Sequence, residues 1–319
     1  MLNIITMKIQ FLGTSSGSPS QSRNVSGTAL SFEKTKEWLL VDCGEATQHQ
    51  ILKSDHTAYH LGIICITHIH GDHCYGLPGL LASMSMSGRR EPVNLIAPKK
   101  VIEFVHSTMS LTDLSLNFNL YCHAIENVDQ KLHMAHCDID IIELQHRVAS
   151  YAFKITERCI PKKLHIDKLR AQGVESGPHY NQLQKGRDVN YKGQRLLAEH
   201  FTYDSWQART VIVCGDNERP ELLKPYIADV GVLIHEATFT ESDLLKVGAH
   251  TGHSDAKRVA QFAQQNQVPQ LILFHFSVRY HGEGKLKELK QEATHWYSGQ
   301  LLLAEDFSSH VVIKHVCEQ

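Results

Sequence analysis

The sequence predicts a layered α/β fold. Short apolar runs rich in β-branched residues recur along the chain. Helical periodicities alternate with many of them. Ionisable residues stand just past several of the runs, as a site at one edge of a sheet sandwich requires. With 319 residues, 42% of them hydrophobic, the chain can bury a sizeable core in one large domain or two smaller ones.

In chain order, residues 8–12, 28–32, 38–41 and 63–67 read as strands. Leu77, Leu80, Leu81 and Met84 then follow i, i+3, i+4, i+7 spacing, and Gly88 suits the C-terminal cap of that helix. A strand at 93–97 leads through Pro98 into a helix opened by Val101, Phe104 and Val105. Strands at 139–144 and 151–155 come next, and strands at 210–214 and 230–235 follow a gap. Ala256, Val259, Ala260 and Ala263 mark a third helix, with Ser254 as its expected N-cap and Lys257 where a capping box has Glu. Residues 270–276, 301–304 and 310–315 close the series.

The gap is unlike the rest. Between 158 and 195 the apolar pattern thins, and nine Lys and Arg face three Asp and Glu, in a chain whose formal charge is −2. Gly173, Gly177-Pro178, Gly186 and Gly193 punctuate it. It reads as an inserted arm, either a solvated excursion or a surface that attracts phosphate.

Global charge points to no particular partner. No apolar run reaches the roughly 18 residues of a membrane span, so no membrane association is expected. Residues 1–6 have no basic n-region and no A-x-A-like cleavage site, so no secretory signal is expected; Met1 and Met7, the latter at the head of the first strand, are both candidate starts. The eight cysteines form no C-x-x-C pair, and several sit inside apolar runs. They are expected to be small buried hydrophobes in a reducing cytoplasm rather than a disulfide framework.

With 22 copies, a lone histidine says little. A constrained pattern says more. Thr67 to His73 read T-H-I-H-G-D-H directly after an apolar strand. At a strand end, residues i and i+2 point to the same side, so His68 and His70 can grip one ion. Gly71 lets the chain turn, and Asp72 and His73 emerge at the start of the next helix, aimed at a neighbouring site. Without an ion, four such groups would need burial without partners. Four ligands do not complete two sites, since a catalytic zinc takes about three protein ligands plus a water. The further candidates are His, Asp or Glu just past other apolar runs: His146, Asp216, His235-Glu236 and His275.

These blocks, in order, resemble the ribonuclease Z family of the metallo-β-lactamase superfamily. The resemblance runs over nearly the whole chain. It rests on Phe11-Leu12-Gly13-Thr14-Ser15-Ser16-Gly17, Arg23-Asn24-Val25-Ser26, Asp42-Cys43-Gly44-Glu45, the histidine motif with Gly76-Leu77-Pro78-Gly79-Leu80-Leu81, His235-Glu236-Ala237-Thr238, Gly252-His253-Ser254 and His275-Phe276-Ser277-Val278-Arg279-Tyr280. The chain departs from the family at Ala46-Thr47-Gln48-His49, at Asp255 in place of Thr, and at Glu175-Ser176 before Gly177-Pro178. The resemblance implies one αββα domain over residues 1–319, two mixed sheets with outer helices, and an inserted flexible arm at about 157–200 that clamps the tRNA body in a homodimer. It implies one zinc on His68, His70 and His146, a second on Asp72, His73 and His275, and Asp216 bridging both. Mn²⁺ and Co²⁺ suit the same N and O ligands.

The expected reaction is hydrolysis of a phosphodiester by a metal-activated hydroxide. The resemblance implies that it removes the 3′ trailer of precursor tRNA and leaves a 3′-hydroxyl, with or without added 3′ exonuclease trimming. Asp72 is expected to orient the hydroxide and His253 to be the general acid, and the resemblance implies that Glu236 orients His253. Arg279, with Gly177 and Pro178 of the arm, is expected to bind substrate. The rival readings are a small-molecule phosphodiesterase or arylsulfatase-like hydrolase of the same superfamily, and an RNA-binding module that keeps zinc for stability.

Overall fold

A computed structural model describes residues 7–317, so the reading of residues 1–6 lies outside the described residues. Two seven-stranded mixed sheets face each other. The first runs, in spatial order, Ser309–Val311, Lys8–Gly13, Gly27–Ser31, Trp38–Val41, Leu61–Cys65, Val93–Ala97 and Leu120–Ala124. The second runs Gln300–Leu303, Gln270–Phe274, Val232–Glu236, Thr210–Cys214, Ser150–Glu157, Cys137–Leu144 and Lys131–His133. Four strands pair in parallel in each sheet, from Trp38–Val41 to Leu120–Ala124 and from Thr210–Cys214 to Gln300–Leu303.

Leu61–Cys65, Thr210–Cys214, Val232–Glu236 and Gln270–Phe274 are buried along their whole length, and such strands read as continuous apolar runs in the sequence. Phe11, Ile63, Ile96, Phe153, Val213, Ile234 and Phe274 fill the space between the sheets. Helices Thr47–Leu52, Leu77–Met86 and Lys99–Leu111 bury apolar faces on the outside of the first sheet. Helices Ala256–Gln265 and Leu286–Trp296 do the same on the second. The four layers are the expected αββα sandwich.

Gly88 takes φ 80° just past Leu77–Met86, as its C-cap role requires. The N-cap of Ala256–Gln265 is Asp255, not Ser254. The Asp255 carboxylate accepts the Arg258 N–H at 2.8 Å, while Ser254 Oγ donates to the Asn217 carbonyl. The strand expected at 230–235 is Val232–Glu236, and the run at 310–315 shortens to Ser309–Val311. Leu120–Ala124 escaped notice because its residues are only half-buried or exposed and lack a sharp apolar pattern. All eight cysteines are free, but Cys122 and Cys317 are half-buried and Cys159 is exposed, so these three are not the buried hydrophobes expected.

The segment between Glu157 and Thr210 is no bare excursion. Strand Lys162–Leu164 pairs with Thr202–Asp204, and Val189–Tyr191 pairs with Gln194–Leu196. Leu164, Leu169, Val174, Leu183, Leu196, Ala198 and Phe201 bury a core of their own. The expected boundary at 200 cuts helix Ala198–Phe201 and omits the strand that closes the segment. At its root the Glu157 carboxylate accepts Arg209 Nε at 2.9 Å and Trp206 Nε1 at 3.0 Å. Glu33 joins Arg209 to Lys314 there. Among the described residues no helix is long and apolar enough to cross a membrane.

Candidate metal centre

Most ligand-type side chains of the site stand at or just past strand ends of both sheets, at one edge of the sandwich; Asp72 and His73 sit one step further, on the short helix Gly71–Cys74. The first sheet supplies Asp42 just after Trp38–Val41 and His68 to His73 after Leu61–Cys65. The second supplies His146 after Cys137–Leu144, Asp216 after Thr210–Cys214, Glu236 at the end of Val232–Glu236 and His275 after Gln270–Phe274. The Tyr151 N–H donates to the Thr67 carbonyl at 3.1 Å, which ties the two sheets together at the floor of the site. Alternation along Val232–Glu236 sends Glu236 to the site and turns His235 away. His235 meets Asn217 Nδ2 at 3.0 Å instead, so of that pair only the carboxylate joins the cluster.

One set of ligand atoms comes from His68, His70, His146 and Asp216, and another from Asp72, His73 and His275; within each set all lie within 4.8 Å of one another. His68 Nε2 is 3.1 Å from His70 Nδ1, and His146 Nε2 is 3.3 Å from that same atom. His73 Nε2 and His275 Nε2 stand 3.2 Å apart. Asp216 lies between the sets. Its Oδ2 is 3.6 Å from both His68 and His146, and its Oδ1 is 3.2 Å from His275 and 3.4 Å from His73. That Oδ1 is buried and has no hydrogen bond. A buried carboxylate oxygen without a donor is costly. Surrounded by imidazole nitrogens, it fits the ligand of a cation.

The outer ring nitrogens of the buried histidines are already engaged. His146 Nδ1 donates to the Gly252 carbonyl at 2.7 Å, His73 Nδ1 meets Asp42 Oδ2 at 2.7 Å, and His275 Nδ1 meets Thr238 Oγ1 at 3.0 Å. Such partners fix the tautomer and turn the free nitrogen inward, as metal sites require. Burial holds His68, His70 and His146 below the ordinary imidazole range, in the neutral form that binds metal. His73 runs the other way: burial opposes its charge, yet Asp72, Asp42 and Asp216 hold it well above that range. The carboxylates around His73 thus favour positive charge at that point of the pocket. Burial favours neutral carboxyls at Asp72 and Asp216, but His73 and His275 hold both well below the usual range.

His253 stands beside this set. Its Nδ1 is 3.0 Å from Glu236 Oε1 and 3.7 Å from Asp216 Oδ2. Nδ1–H is given to the Glu236 carboxylate, while Asp216, His253 and His275 also bring one ligand atom each to within 4.8 Å of one another. Burial opposes the charge of His253, but Glu236 and then Asp216 hold the imidazole up at about 9. The wholly buried Glu236 also accepts from the Asn217 N–H at 2.9 Å and from Thr238. Arg279 is half-exposed, over the Phe239 ring at 5.0 Å and 3.8 Å from Asp243. Gly177 and Pro178 open the short helix Pro178–Gln184 in the inserted segment, apart from this cluster.

Asp42 was missed as a site residue, although its block was noticed. Its carboxylate accepts the Thr67 N–H at 2.8 Å as well as His73. It follows an apolar strand, so the strand-exit rule that found Asp216 would have found it too.

A family model described as Anti-Pycsar protein Apyc1 matches residues 7–162. That span holds His68 to His73 and His146 but stops before Asp216, His253 and His275. A ribonuclease Z of Marinobacter nauticus is 44% identical, over 95% of this chain and 96% of its own. The crystal structure of human tRNase Z, short form, superposes with a TM-score of 0.68 at 25% identity, covering 96% of this chain and 100% of that one. The metallo-β-lactamase fold protein YhfI from Bacillus subtilis superposes with a TM-score of 0.66 at 18% identity, over 95% of this chain and 98% of that one, which speaks to the fold alone.

Proposed function

The chain belongs to the ribonuclease Z family, as a hydrolytic endoribonuclease of the metallo-β-lactamase fold, and from that premise we propose that it removes the 3′ trailer from precursor tRNA with two zinc ions. The observation that carries the two-metal reading is the buried, unpartnered Oδ1 of Asp216 between two sets of histidines. His68, His70 and His146 would hold one ion, Asp72, His73 and His275 the other, and Asp216 both. Bound there, the ions supply Lewis acidity at the phosphoryl oxygens and bring the pKa of a water toward neutrality.

The remaining chemistry belongs to the chain. The Asp72 carboxylate, also held by the Gly17 N–H at 2.8 Å, orients the attacking water. Glu236 holds Nδ1–H of His253, so that the opposite nitrogen can carry a proton to the departing 3′-oxygen. The products are a 3′-hydroxyl on the tRNA and a 5′-phosphate on the trailer. Arg279 contributes a guanidinium for a backbone phosphate, tempered by Asp243.

The inserted segment, with its nine cations between 158 and 195 and with Gly177 and Pro178, would contact the tRNA body. A homodimer is the assembly we propose. It follows from the family resemblance. Eight free cysteines fit a reducing cytoplasm.

Cleavage of a precursor tRNA, with and without chelator and zinc add-back, tests the reading, alongside metal analysis. Chelation should abolish cleavage and zinc should restore it, at two ions per chain. Full cleavage without metal would sink the mechanism. Hydrolysis of bis-(p-nitrophenyl) phosphate with no cleavage of the precursor would favour a small-molecule phosphodiesterase.

A further inference from the structure

Arg147 follows His146 in the turn between Cys137–Leu144 and Ser150–Glu157, and its side chain is exposed. Its stem runs past Gly252: a Cβ on that glycine would lie 3.2 Å from Arg147 Cγ and from its backbone N. Gly252 is the residue whose carbonyl holds His146, and His253 follows it. The stem therefore emerges between a metal-ligand histidine and the acid histidine. The side chain is thus seated against the backbone that joins these two histidines.

Among the described residues Arg147 makes no hydrogen bond, ion pair or ring contact. The nearby carboxylates are committed elsewhere: Asp216 and Asp72 face His73 and His275, and Glu236 holds His253. Arg279, by contrast, reaches Asp243 and reaches His253 only through the Phe239 ring. An unpaired cation set beside other basic groups is unfavourable until an anion joins it.

We infer that Arg147 binds a backbone phosphate of the RNA, the one immediately 5′ of the scissile linkage. This rests on the proposed cleavage, and the assigned side follows from its polarity. When the 3′-oxygen leaves, its proton comes from His253, so the nucleotide bearing that oxygen lies on the His253 side. Arg147 is on that side, and the first anion available there is that nucleotide's own 5′-phosphate. A guanidinium grips it through two parallel N–H donors, which a lysine cannot reproduce.

The test pairs a protein change with a substrate change. A precursor tRNA carrying one neutral methylphosphonate, either at that phosphate or one linkage 3′ of the scissile bond, is cleaved by the zinc-loaded wild type, Arg147→Ala and Arg147→Lys. The wild type should lose about tenfold in kcat/KM on the 5′-modified RNA, the lower end of a charged hydrogen bond. Arg147→Ala should be lower by a similar factor on the unmodified RNA and lose little more on the 5′-modified one. Arg147→Lys should fall between, and both variants should keep the wild type's response to the 3′ modification. If Arg147→Ala cleaves unmodified RNA as well as wild type, or stays as sensitive to the 5′ modification, the assignment is wrong. Failure of the wild type to cleave unmodified precursor would instead overturn the functional reading beneath it.

Discussion

Asp42 and His275 both hold left-handed backbone, at φ 62° and 58°, where non-glycine residues are strained by about 1–3 kcal/mol. Both lie at strand ends, and the strained turn brings each side chain to the same pocket. Glu236 works through a partner: its carboxylate raises His253 to about 9, so the imidazole is protonated below that pH and loses its proton as pH rises through it. In metal-free protein, Glu236→Gln should lower the His253 pKa, read by NMR titration; an unshifted value would remove Glu236 from the acid's support. A separate residue governs acid stability. His56 is buried against Trp38, meeting Gln10 Oε1 at 2.9 Å and Ser31 Oγ at 2.8 Å, and burial, then Lys8, lowers it to about 4. A depressed folded pKa means stability that is complete above the unfolded value of about 6.5 and declines as pH falls toward 4, by about 3 kcal/mol in all. Denaturation midpoints at pH 7 and pH 5 should therefore differ less in His56→Gln than in wild type.

Short elements with close crossings hold the site together. The turn at Asp72 and His73 crosses the loop after Trp38–Val41 at two glycines. A Cβ on Gly44 would lie 2.4 Å from the Asp72 carbonyl, and one on Gly76 would lie 2.0 Å from the Gly44 carbonyl. Backbone atoms cannot move aside as a flexible side chain would. Gly76→Ala should therefore displace the helix Gly71–Cys74, which carries Asp72 and His73, and lower metal content, measured by elemental analysis of the folded protein. Full metal content would show that the crossing tolerates the shift. On the outer face, the Asp255 cap holds the start of Ala256–Gln265, and Asp255→Ala should cost about 1 kcal/mol in urea unfolding.

Across the whole molecule, the inserted segment is separable. Its core is its own, and its two ends meet where the Ser205 N–H donates to the Pro161 carbonyl at 2.9 Å. Replacing residues 162–204 by a short glycine linker should leave a folded protein that binds metal and hydrolyses bis-(p-nitrophenyl) phosphate. Its KM for precursor tRNA should rise about tenfold or more as cationic contacts are lost. An unchanged KM would reject the segment as a tRNA contact. The cut belongs at the paired strands and not at 157–200, because removing Lys162–Leu164 alone would strip Thr202–Asp204 of its partner.

The α/β class, the fully buried strands and the positions where ligand side chains leave them were legible in the sequence, because all three depend on local order. Apolar runs mark strands buried on both faces, and an ionisable residue just past such a run stands out. Half-buried Leu120–Ala124 and the segment's small core lacked that contrast. Which strand exits meet was a different matter. His235 and Glu236 are neighbours in sequence, yet only Glu236 reaches the site, because side chains alternate across a sheet. Asp42 gained its role through His73, 31 positions away, and Arg147 stood out only once folding seated it against Gly252, between His146 and His253, with no ion pair among the described residues. Local sequence determined what each strand end carries; the face-to-face packing of two sheets, which brings their strand ends together around Asp216, decided which of those ends form one site.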